Sequence, residues 1–124
     1  MILFNRLLLN ILLPTLILFY EESGSGWYLG KPKESCNAVC SNVNLKCDVN
    51  AMSDINNDEK LVKAAKDAGV SCKNLLDDEQ PITPFYLASH SGRTEICEHL
   101  RNGAKSTCEA TTTGPHQRFC FCQL

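Results

Sequence analysis

The sequence predicts a small α+β disulfide-rich domain, in which about three short helices and a short terminal strand are stapled by four disulfides. Two observations lead to this prediction: the 124-residue chain contains eight cysteines, and it begins with a strongly apolar segment. An even number of cysteines behind a secretory signal indicates disulfides rather than free thiols. A domain of this size gains from covalent links because its hydrophobic core is small.

The first 25 residues have the features of a secretory signal peptide. Arg6 gives an early positive charge, an apolar run rich in Leu and Ile surrounds and follows it, and small residues come at 23–25. This order of charge, apolar run and small residues is typical of a signal that is cleaved. We therefore predict a signal peptide over 1–25 and a single disulfide-rich domain over 26–124.

An uncleaved membrane anchor is the alternative for the same segment. A spanning helix needs about 20 predominantly apolar residues, and here polar residues and a proline interrupt the run: Asn5, Arg6, Asn10 and Pro14. In both cases the domain lies on the outer or lumenal side of a membrane. The predicted localisation is secreted or extracellular, with the Golgi or endoplasmic reticulum lumen as the alternative.

The charge pattern excludes several classes of partner. The full chain has a net charge of −2, and removal of the predicted signal takes away one arginine and two glutamates, which leaves a charge near −1. No block of like charges remains, so we expect neither nucleic acid nor, after signal removal, a membrane as partner. A cationic antimicrobial peptide is disfavoured for the same reason. The partner itself is unknown from the sequence, and a glycan or an extracellular protein is the candidate.

A short helix is predicted at the start of the domain. Its inward positions follow the spacing i, i+3, i+4 and i+7, which is typical of an amphipathic helix: Cys36, Val39, Cys40 and Val43. Ser35 precedes the first of them and is a favourable N-cap.

A short strand is predicted at the end of the domain, over 118–122. It places Cys120 and Cys122 on one face, as the helix places Cys36 and Cys40 one turn apart on one face. Two parallel disulfides can therefore join the helix couple to the strand couple. The spacing leaves open which helix cysteine bonds to which strand cysteine, and four further cysteines remain for other bridges.

The clearest helix is predicted to begin after Asn56, with Glu59 completing a capping box. Gly69 ends it in the left-handed conformation, three residues before Cys72. Its apolar stripe consists of five residues: Leu61, Val62, Ala64, Ala65 and Ala68.

A loop, an apolar patch and a third helix are predicted for the following segment. The loop covers 73–84, where acidic residues and two prolines occur. Residues 85–87, Phe-Tyr-Leu, are expected to dock on the core. The third helix is predicted over 94–101, with Gly103 as its stop and with Ile96, Cys97 and Leu100 as its inward positions.

Zinc binding is the competing use of the cysteines. A structural zinc site needs closely spaced pairs such as Cys-x2–4-Cys. Cys36 and Cys40 fit one such pair, but Cys120 and Cys122 are too close together for a second, and an oxidising compartment disfavours metal-bound thiolates. We therefore predict no metal site and no cofactor.

The complete cysteine spacing resembles that of a known module. The pattern runs Ser-Cys-x3-Cys-x6-Cys from Ser35, then a helix that ends in glycine before Cys72, then Cys97-x10-Cys108, and finally Arg-x-Cys-x-Cys from Arg118. It resembles the C-terminal cysteine-rich module of the β1,6-N-acetylglucosaminyltransferase V family, glycosyltransferase family 18, and similar stand-alone secreted modules. The likeness covers residues 27–124 and every cysteine, although this chain has a longer loop before its last two cysteines.

The resemblance implies a complete pairing of the cysteines. The implied pairs are Cys36–Cys120, Cys40–Cys122, Cys47–Cys108 and Cys72–Cys97. The catalytic domain of that family binds a nucleotide sugar and needs hundreds of residues, and the resemblance extends only to its end module. If the chain belongs to the family, it corresponds to the non-catalytic part of a hexosaminyl transferase.

The residues themselves predict no catalytic group. A glycine-rich phosphate loop is missing from the sequence, and His90, His99 and His116 are isolated from one another. A disulfide-bonded sulfur is not a thiolate, so a cysteine nucleophile is not expected. Enzymatic activity is therefore not assigned to the chain on its own.

Trp27 and Tyr28 are the candidate ligand contacts. Aromatic faces stack on sugars and on protein partners, and the alternative is that Trp27 covers the core beside the first disulfide. The predicted function is a non-catalytic module that acts by binding or assembly, with glycans or glycoproteins as candidate partners. The alternatives are a fragment or relative of a family 18 transferase of N-glycan branching, and a secreted effector or extracellular-matrix component.

Overall fold

The computed structural model describes residues 24–124. Residues 1–23 of the predicted signal peptide therefore lie outside the described residues. Within 24–124, three helices and a mixed sheet are joined by four disulfides. These features confirm the predicted α+β disulfide-rich fold class, although the domain contains more strand than the sequence pattern predicts. No helix in this part of the chain is long and apolar enough to cross a membrane.

The described chain contains three helices and six strands. The helices are α1 (Cys36–Ser41), α2 (Val49–Ser53) and α3 (Asp58–Asp67). The strands are β1 (Gly26–Leu29), β2 (Lys46–Cys47), β3 (Asn74–Asp78), β4 (Phe85–His90), β5 (Arg93–Leu100) and β6 (Gln117–Gln123). The sheet order is β1–β6–β4–β5–β3, and the short β2 also pairs with β6. Strands β3 and β5 run parallel, whereas the other pairs in residues 24–124 are antiparallel.

The local sequence explains where α1 begins and ends. The Ser35 side chain accepts a hydrogen bond from the backbone N–H of Ala38 at 3.1 Å, which confirms the predicted N-cap. Three of the four predicted inward residues are buried: Cys36, Val39 and Cys40. The helix ends before Val43, which is 40% exposed and not inward as the pattern predicts.

Strand β6 fastens the start of the domain to its end. It pairs with β1, and it is bonded to α1 through Cys36–Cys120 and Cys40–Cys122, with Cα–Cα distances of 5.3 and 5.2 Å. The helix couple therefore meets the strand couple, in the order that the resemblance implies. The other two bridges, Cys47–Cys108 and Cys72–Cys97, are likewise the implied pairs.

The core consists of two clusters of buried residues. One surrounds the two α1–β6 bridges and includes Leu45 and Met52. The other joins α3 to the sheet and includes Leu61 and Phe119. Trp27 of β1 packs against both clusters, so this strand connects the two parts of the core.

The prediction of a third helix over 94–101 is wrong, because strand β5 covers this segment. Ser91 and Gly92 have positive φ angles of 52° and 82° and join β4 to β5 through a two-residue turn. Such a turn matches the twist of two antiparallel strands and therefore favours a hairpin.

The spacing of the buried residues in β5 explains the error. Glu95 has a positive φ of 50°, but the pairing of β5 with β4 keeps one register on both sides of it. Successive residues of a strand face opposite sides of the sheet, so the adjacent Ile96 and Cys97 are both buried because both sides are covered at this point, and Leu100 is buried further along. Two adjacent buried residues followed by a third imitate the spacing of an amphipathic helix.

Two strands replace the predicted loop and apolar patch. Strand β3 lies inside the predicted 73–84 loop, and β4 contains the predicted 85–87 patch. β3 pairs in parallel with β5, a contact between distant segments that no local pattern reveals. Helix α2 has little signal in the sequence apart from its N-cap, Asp48, which accepts hydrogen bonds from two backbone N–H groups.

Helix α3 agrees with the sequence in its extent and its ending. Gly69 has a φ of 93° and follows its C-cap, and its buried residues belong to the predicted stripe: Leu61, Ala64 and Ala65. Val62, predicted in the same stripe, is 44% exposed. The N-cap is Asn57 and not Asn56, because the Asn57 side-chain oxygen accepts the backbone N–H of Lys60 at 2.8 Å.

Candidate functional site

An open cleft of about 640 Å³ lies between α3 and the paired strands β1 and β6. It contains both residues that the sequence predicts as ligand contacts. Its lining comes from four places, namely the segment before β1, β1 itself, β6 and α3: Ser25, Gly26, Trp27, Tyr28, Phe121, Lys63 and Asp67.

Trp27 has one part in the core and another at the cleft. Strand pairing places it opposite Phe121, and the two rings meet edge to face with centroids 5.2 Å apart and planes at 72°. It also packs against both core clusters, so the interpretation in which Trp27 covers the core beside the disulfides describes part of its surface. The residue stays half-buried and contributes the rest of its surface to the cleft.

Tyr28 fixes one end of the cleft. Its ring packs against the cluster around the α1–β6 bridges, and its hydroxyl donates a hydrogen bond to the carbonyl oxygen of Gly24. This bond ties the segment before β1 to the strand that follows it. Ser25 and Gly26 line the cleft at this end. Gly24 and Ser25 fall within the predicted 1–25 signal peptide, so the Tyr28 bond and this end of the lining are retained only in a chain that is cleaved before Gly24.

The opposite wall carries a pair of opposite charges. Lys63 and Asp67 are one turn apart on α3, and the Lys63 Nζ lies 3.2 Å from the Asp67 Oδ2. Their side chains are 79% and 44% exposed, so the pair adds only about 0.3–0.5 kcal/mol to stability. Because both groups reach solvent at the cleft, they can also bond to a ligand there, one as donor and the other as acceptor.

The histidines lie in separate surroundings. His99 of β5 contacts Asp58 of α3, with 3.1 Å between Nε2 and Oδ1. His116 packs edge to face against Phe85, with centroids 4.9 Å apart, and His90 is exposed at the end of β4. All eight cysteines are in disulfides, so none is available to act with a histidine as a nucleophile.

The described part of the chain also lacks a preformed metal site. Among residues 24–124 no group of three or more His, Cys, Asp or Glu side chains could hold an ion. The arrangement at the cleft is therefore one of aromatic surface and hydrogen-bonding groups, which is suited to binding.

Arg118 is a buried charged residue to which the sequence assigns no role beyond its place in the cysteine pattern. Its side chain is fully buried, and burial lowers the pKa of Arg118 to about 10, an effect that the charge of Glu109 opposes. It is therefore a buried cation at neutral pH. Its guanidinium donates to five oxygen atoms, four carbonyls and one hydroxyl: Pro81, Ile82, Thr107, Ala110 and Ser106.

The role of Arg118 is structural, because its bonds tie two irregular segments, 81–82 and 106–110, to β6. The one signal in the sequence is its position, since Arg118, Cys120 and Cys122 alternate along β6 and are all fully buried. Lys63 and Asp67 have no such signal, because a charged helix face looks the same whether or not it borders a cleft.

No protein-family model matches the chain, and a search of curated proteins finds no significant match. The function of the chain must therefore be inferred from its cysteine pattern and from the residues of the cleft.

Proposed function

We propose that the protein is a non-catalytic, secreted or lumenal cysteine-rich module that acts by binding a glycan or an extracellular glycoprotein. The observation that carries this proposal is the open cleft, which combines the aromatic residues Trp27, Tyr28 and Phe121 with the Lys63–Asp67 pair. Ligand sites typically combine apolar and aromatic surface with a few polar groups that orient the ligand.

The covalent frame supports a binding role. β1 and β6 form one wall of the cleft, and β6 is bonded twice to α1. A wall held in this way loses little conformational freedom when a ligand binds, so more of the contact energy appears as affinity. Four disulfides also suit an oxidising compartment, where secreted and lumenal proteins function.

A glycan array and a panel of immobilised secreted glycoproteins test the proposal. The test compares the wild-type protein with Trp27→Leu. This substitution keeps apolar volume over the core but removes the Trp27 ring from the aromatic wall of the cleft, which Trp27, Tyr28 and Phe121 form. We expect the wild type to bind a defined subset and Trp27→Leu to bind it at least about tenfold more weakly, a loss of about 1.4 kcal/mol or more.

Tyr86→Leu is the matched control for this comparison. Tyr86 is also half-buried on the sheet and packs edge to face, against Phe119 with centroids 6.5 Å apart, but it does not line the cleft. Both variants lose one aromatic pair, and thermal unfolding shows whether they lose similar stability. Equal binding by the wild type and Trp27→Leu, or no binding by either, would remove the proposal.

A second candidate is that the chain is a fragment or relative of a family 18 β1,6-N-acetylglucosaminyltransferase. Support for it comes from the disulfide pairing, which is the one that the resemblance implies. Incubation of the purified chain with a nucleotide-sugar donor and an N-glycan acceptor tests whether the chain has transferase activity of its own. The binding-module proposal expects no product, and transfer of the sugar would contradict it.

A further inference from the structure

We propose that the cleft takes a neutral pyranose ring, with the Asp67 carboxylate accepting hydrogen bonds from its hydroxyls and the aromatic wall packing against its C–H face. This inference rests on the proposed function and names the class of ligand for the same site. Three observations lead to it: the charge balance of the cleft, the hydrogen-bonding capacity of its charged pair, and the extent of its apolar surface.

The charges of the cleft favour a ligand without net charge. Among its lining residues one cation, Lys63, faces one anion, Asp67, at 3.2 Å. An anionic ligand such as a sialylated or sulfated sugar is attracted by Lys63 but repelled by Asp67. A cationic ligand is attracted by Asp67 but repelled by Lys63. Only a neutral ligand can use both groups without breaking their pair.

The Lys63–Asp67 pair matches the hydrogen-bonding pattern of a sugar. Each sugar hydroxyl is both a donor and an acceptor, whereas an ionised carboxylate only accepts and an ammonium only donates. The ion pair uses Oδ2 of Asp67, and within residues 24–124 no other donor bonds to this side chain. Oδ1 can therefore accept a hydroxyl, while Lys63 donates to a neighbouring ring oxygen or hydroxyl. Such charge-assisted bonds are stronger than neutral ones.

The aromatic wall provides a surface for the apolar side of the ring. A pyranose has C–H groups on one face, and aromatic rings are large apolar surfaces with a polar rim. Trp27 stays half-buried, and its ring is fixed by Phe121, whose plane lies at 72° to it. The exposed part of Trp27 therefore has one orientation, which costs little entropy when a sugar packs on it.

The limited apolar surface favours a sugar over a protein segment at this site. Protein interfaces have a desolvated core of apolar residues that is depleted in charged groups. The large exposed apolar residues of the described chain lie outside the cleft: Val43, Val49, Val62, Leu76 and Leu124. The cleft, about 640 Å³ in volume, instead has the size of a small-ligand pocket.

Tryptophan fluorescence gives a direct measurement, because Trp27 is the single tryptophan of the chain. The disulfide-bonded secreted protein is titrated with two neutral probes, chitotriose and maltotriose, and with two anionic probes, 3′-sialyllactose and a sulfated heparin disaccharide. We expect at least one neutral probe to give a saturable change, with both anionic probes at least about tenfold weaker.

Asp67→Asn tests the role of the carboxylate. It keeps the shape of the side chain but removes its charge, so we expect neutral binding to weaken about tenfold and the preference against sialyllactose to decrease. Asp54→Asn is the matched control. Asp54 forms an exposed ion pair with Lys60 of α3, with 3.3 Å between Oδ1 and Nζ, but it lies outside the cleft. It should bind like the wild type.

The outcomes separate this inference from the proposed function. Saturable binding of the anionic probes alone would overturn the neutral class and leave a binding module. The neutral-sugar class would also be overturned, with a binding module left, if the wild type bound a glycoprotein equally well after enzymatic deglycosylation while the Trp27→Leu variant did not bind it. If no sugar and no glycoprotein binds, both the ligand class and the proposed function fail.

Discussion

Arg118 shows how a single residue organises the irregular part of the domain. The segments 81–82 and 106–110 have few backbone bonds of their own to the sheet, and the buried guanidinium supplies five hydrogen bonds to them. A buried cation is costly unless hydrogen bonds satisfy it. The carbonyls of Ile82, Thr107 and Ala110 depend on the arginine as well, since within residues 24–124 no other donor bonds to them, whereas the Pro81 carbonyl also accepts from the backbone N–H of Thr107.

Replacement of Arg118 should therefore be strongly destabilising. Arg118→Lys provides one ammonium with three donors for five acceptors, so we expect the free energy of unfolding to fall by about 2–4 kcal/mol. Guanidinium denaturation with the disulfides intact measures the change. Arg101→Lys is the control, because Arg101 is exposed and the loss of its solvent-screened pairs with Asp77 and Glu79 should leave the free energy of unfolding nearly unchanged. An Arg118→Lys protein as stable as the wild type would show that the five bonds are not needed.

Glu98, unlike Arg118, lowers the stability of the folded chain when it is charged, because it is partly buried and close to other carboxylates. Burial on β5, followed by the charges of Asp78 and Asp77, raises the pKa of Glu98 above its usual 4.5. The folded chain therefore binds this proton more tightly than the unfolded chain. Stability from this group is greatest below the unfolded pKa, and it decreases as the pH rises through the raised folded pKa.

Glu98→Gln should consequently stabilise the protein at pH 7, by a few tenths of a kcal/mol because the site is partly solvated. At a pH below 4 the two proteins should have the same stability. Denaturation curves at both pH values give the comparison. Glu95→Gln is the control: Glu95 lies 3.6 Å from Lys73 and accepts a bond from Ser71, so it should show no gain at pH 7. A gain for Glu98→Gln that is equal at both pH values would contradict the electrostatic explanation.

At the scale of elements, the sequence predicts well those features that depend on neighbouring residues. α1 follows from the spacing of Cys36 and Cys40 behind the Ser35 cap, and β6 follows from the alternation that ends at Cys122. Both patterns are local, so the sequence contains the whole signal. β3 is different, because it becomes a strand through pairing with the distant β5. β5 belongs to a hairpin with β4, but the spacing of its buried residues imitates a helix. Local spacing alone favours a loop and a helix there.

The N-cap of α3 lies one residue later in the structure than the sequence predicts. The structure assigns the cap to Asn57, and we expect Asn57→Ala to lower the free energy of unfolding by about 1 kcal/mol. Asn56→Ala, at the position that the sequence predicts, should change it by less than about 0.5 kcal/mol, because Asn56 contacts only the exposed Lys60 ammonium at 3.4 Å. Thermal or chemical denaturation of both variants decides between them. A larger loss for Asn56→Ala would move the start of α3.

For the whole molecule, the disulfides determine which parts of the chain stay together. Three of them join residues 84, 82 and 61 positions apart, and a bridge that closes such a long loop contributes about 4 kcal/mol in the chain-entropy model. Nested loops contribute less than their sum. The bridges hold the first helix, the last strand and the segment at Cys108 as one unit.

The cleft depends on packing between parts that the bridges do not join directly. Periodicity predicts the meeting of the helix couple and the strand couple, and the aromatic character of Trp27 and Tyr28 marks them as candidate contacts. Neither signal shows that Lys63 and Asp67 face them, because the packing of α3 against β1 is a tertiary contact. For this reason the sequence reveals two of the seven residues that line the candidate site, and the structure supplies the other five.

The most direct test of the central claim is a disulfide map of the native protein. Digestion without reduction can use chymotrypsin, which cuts after Phe121 and separates Cys120 from Cys122, and elastase, which cuts between Cys36 and Cys40. Mass spectrometry should then find four linked pairs: Cys36–Cys120, Cys40–Cys122, Cys47–Cys108 and Cys72–Cys97. Free thiols, or the crossed pairs Cys36–Cys122 and Cys40–Cys120, would contradict the frame on which the cleft and its proposed function depend.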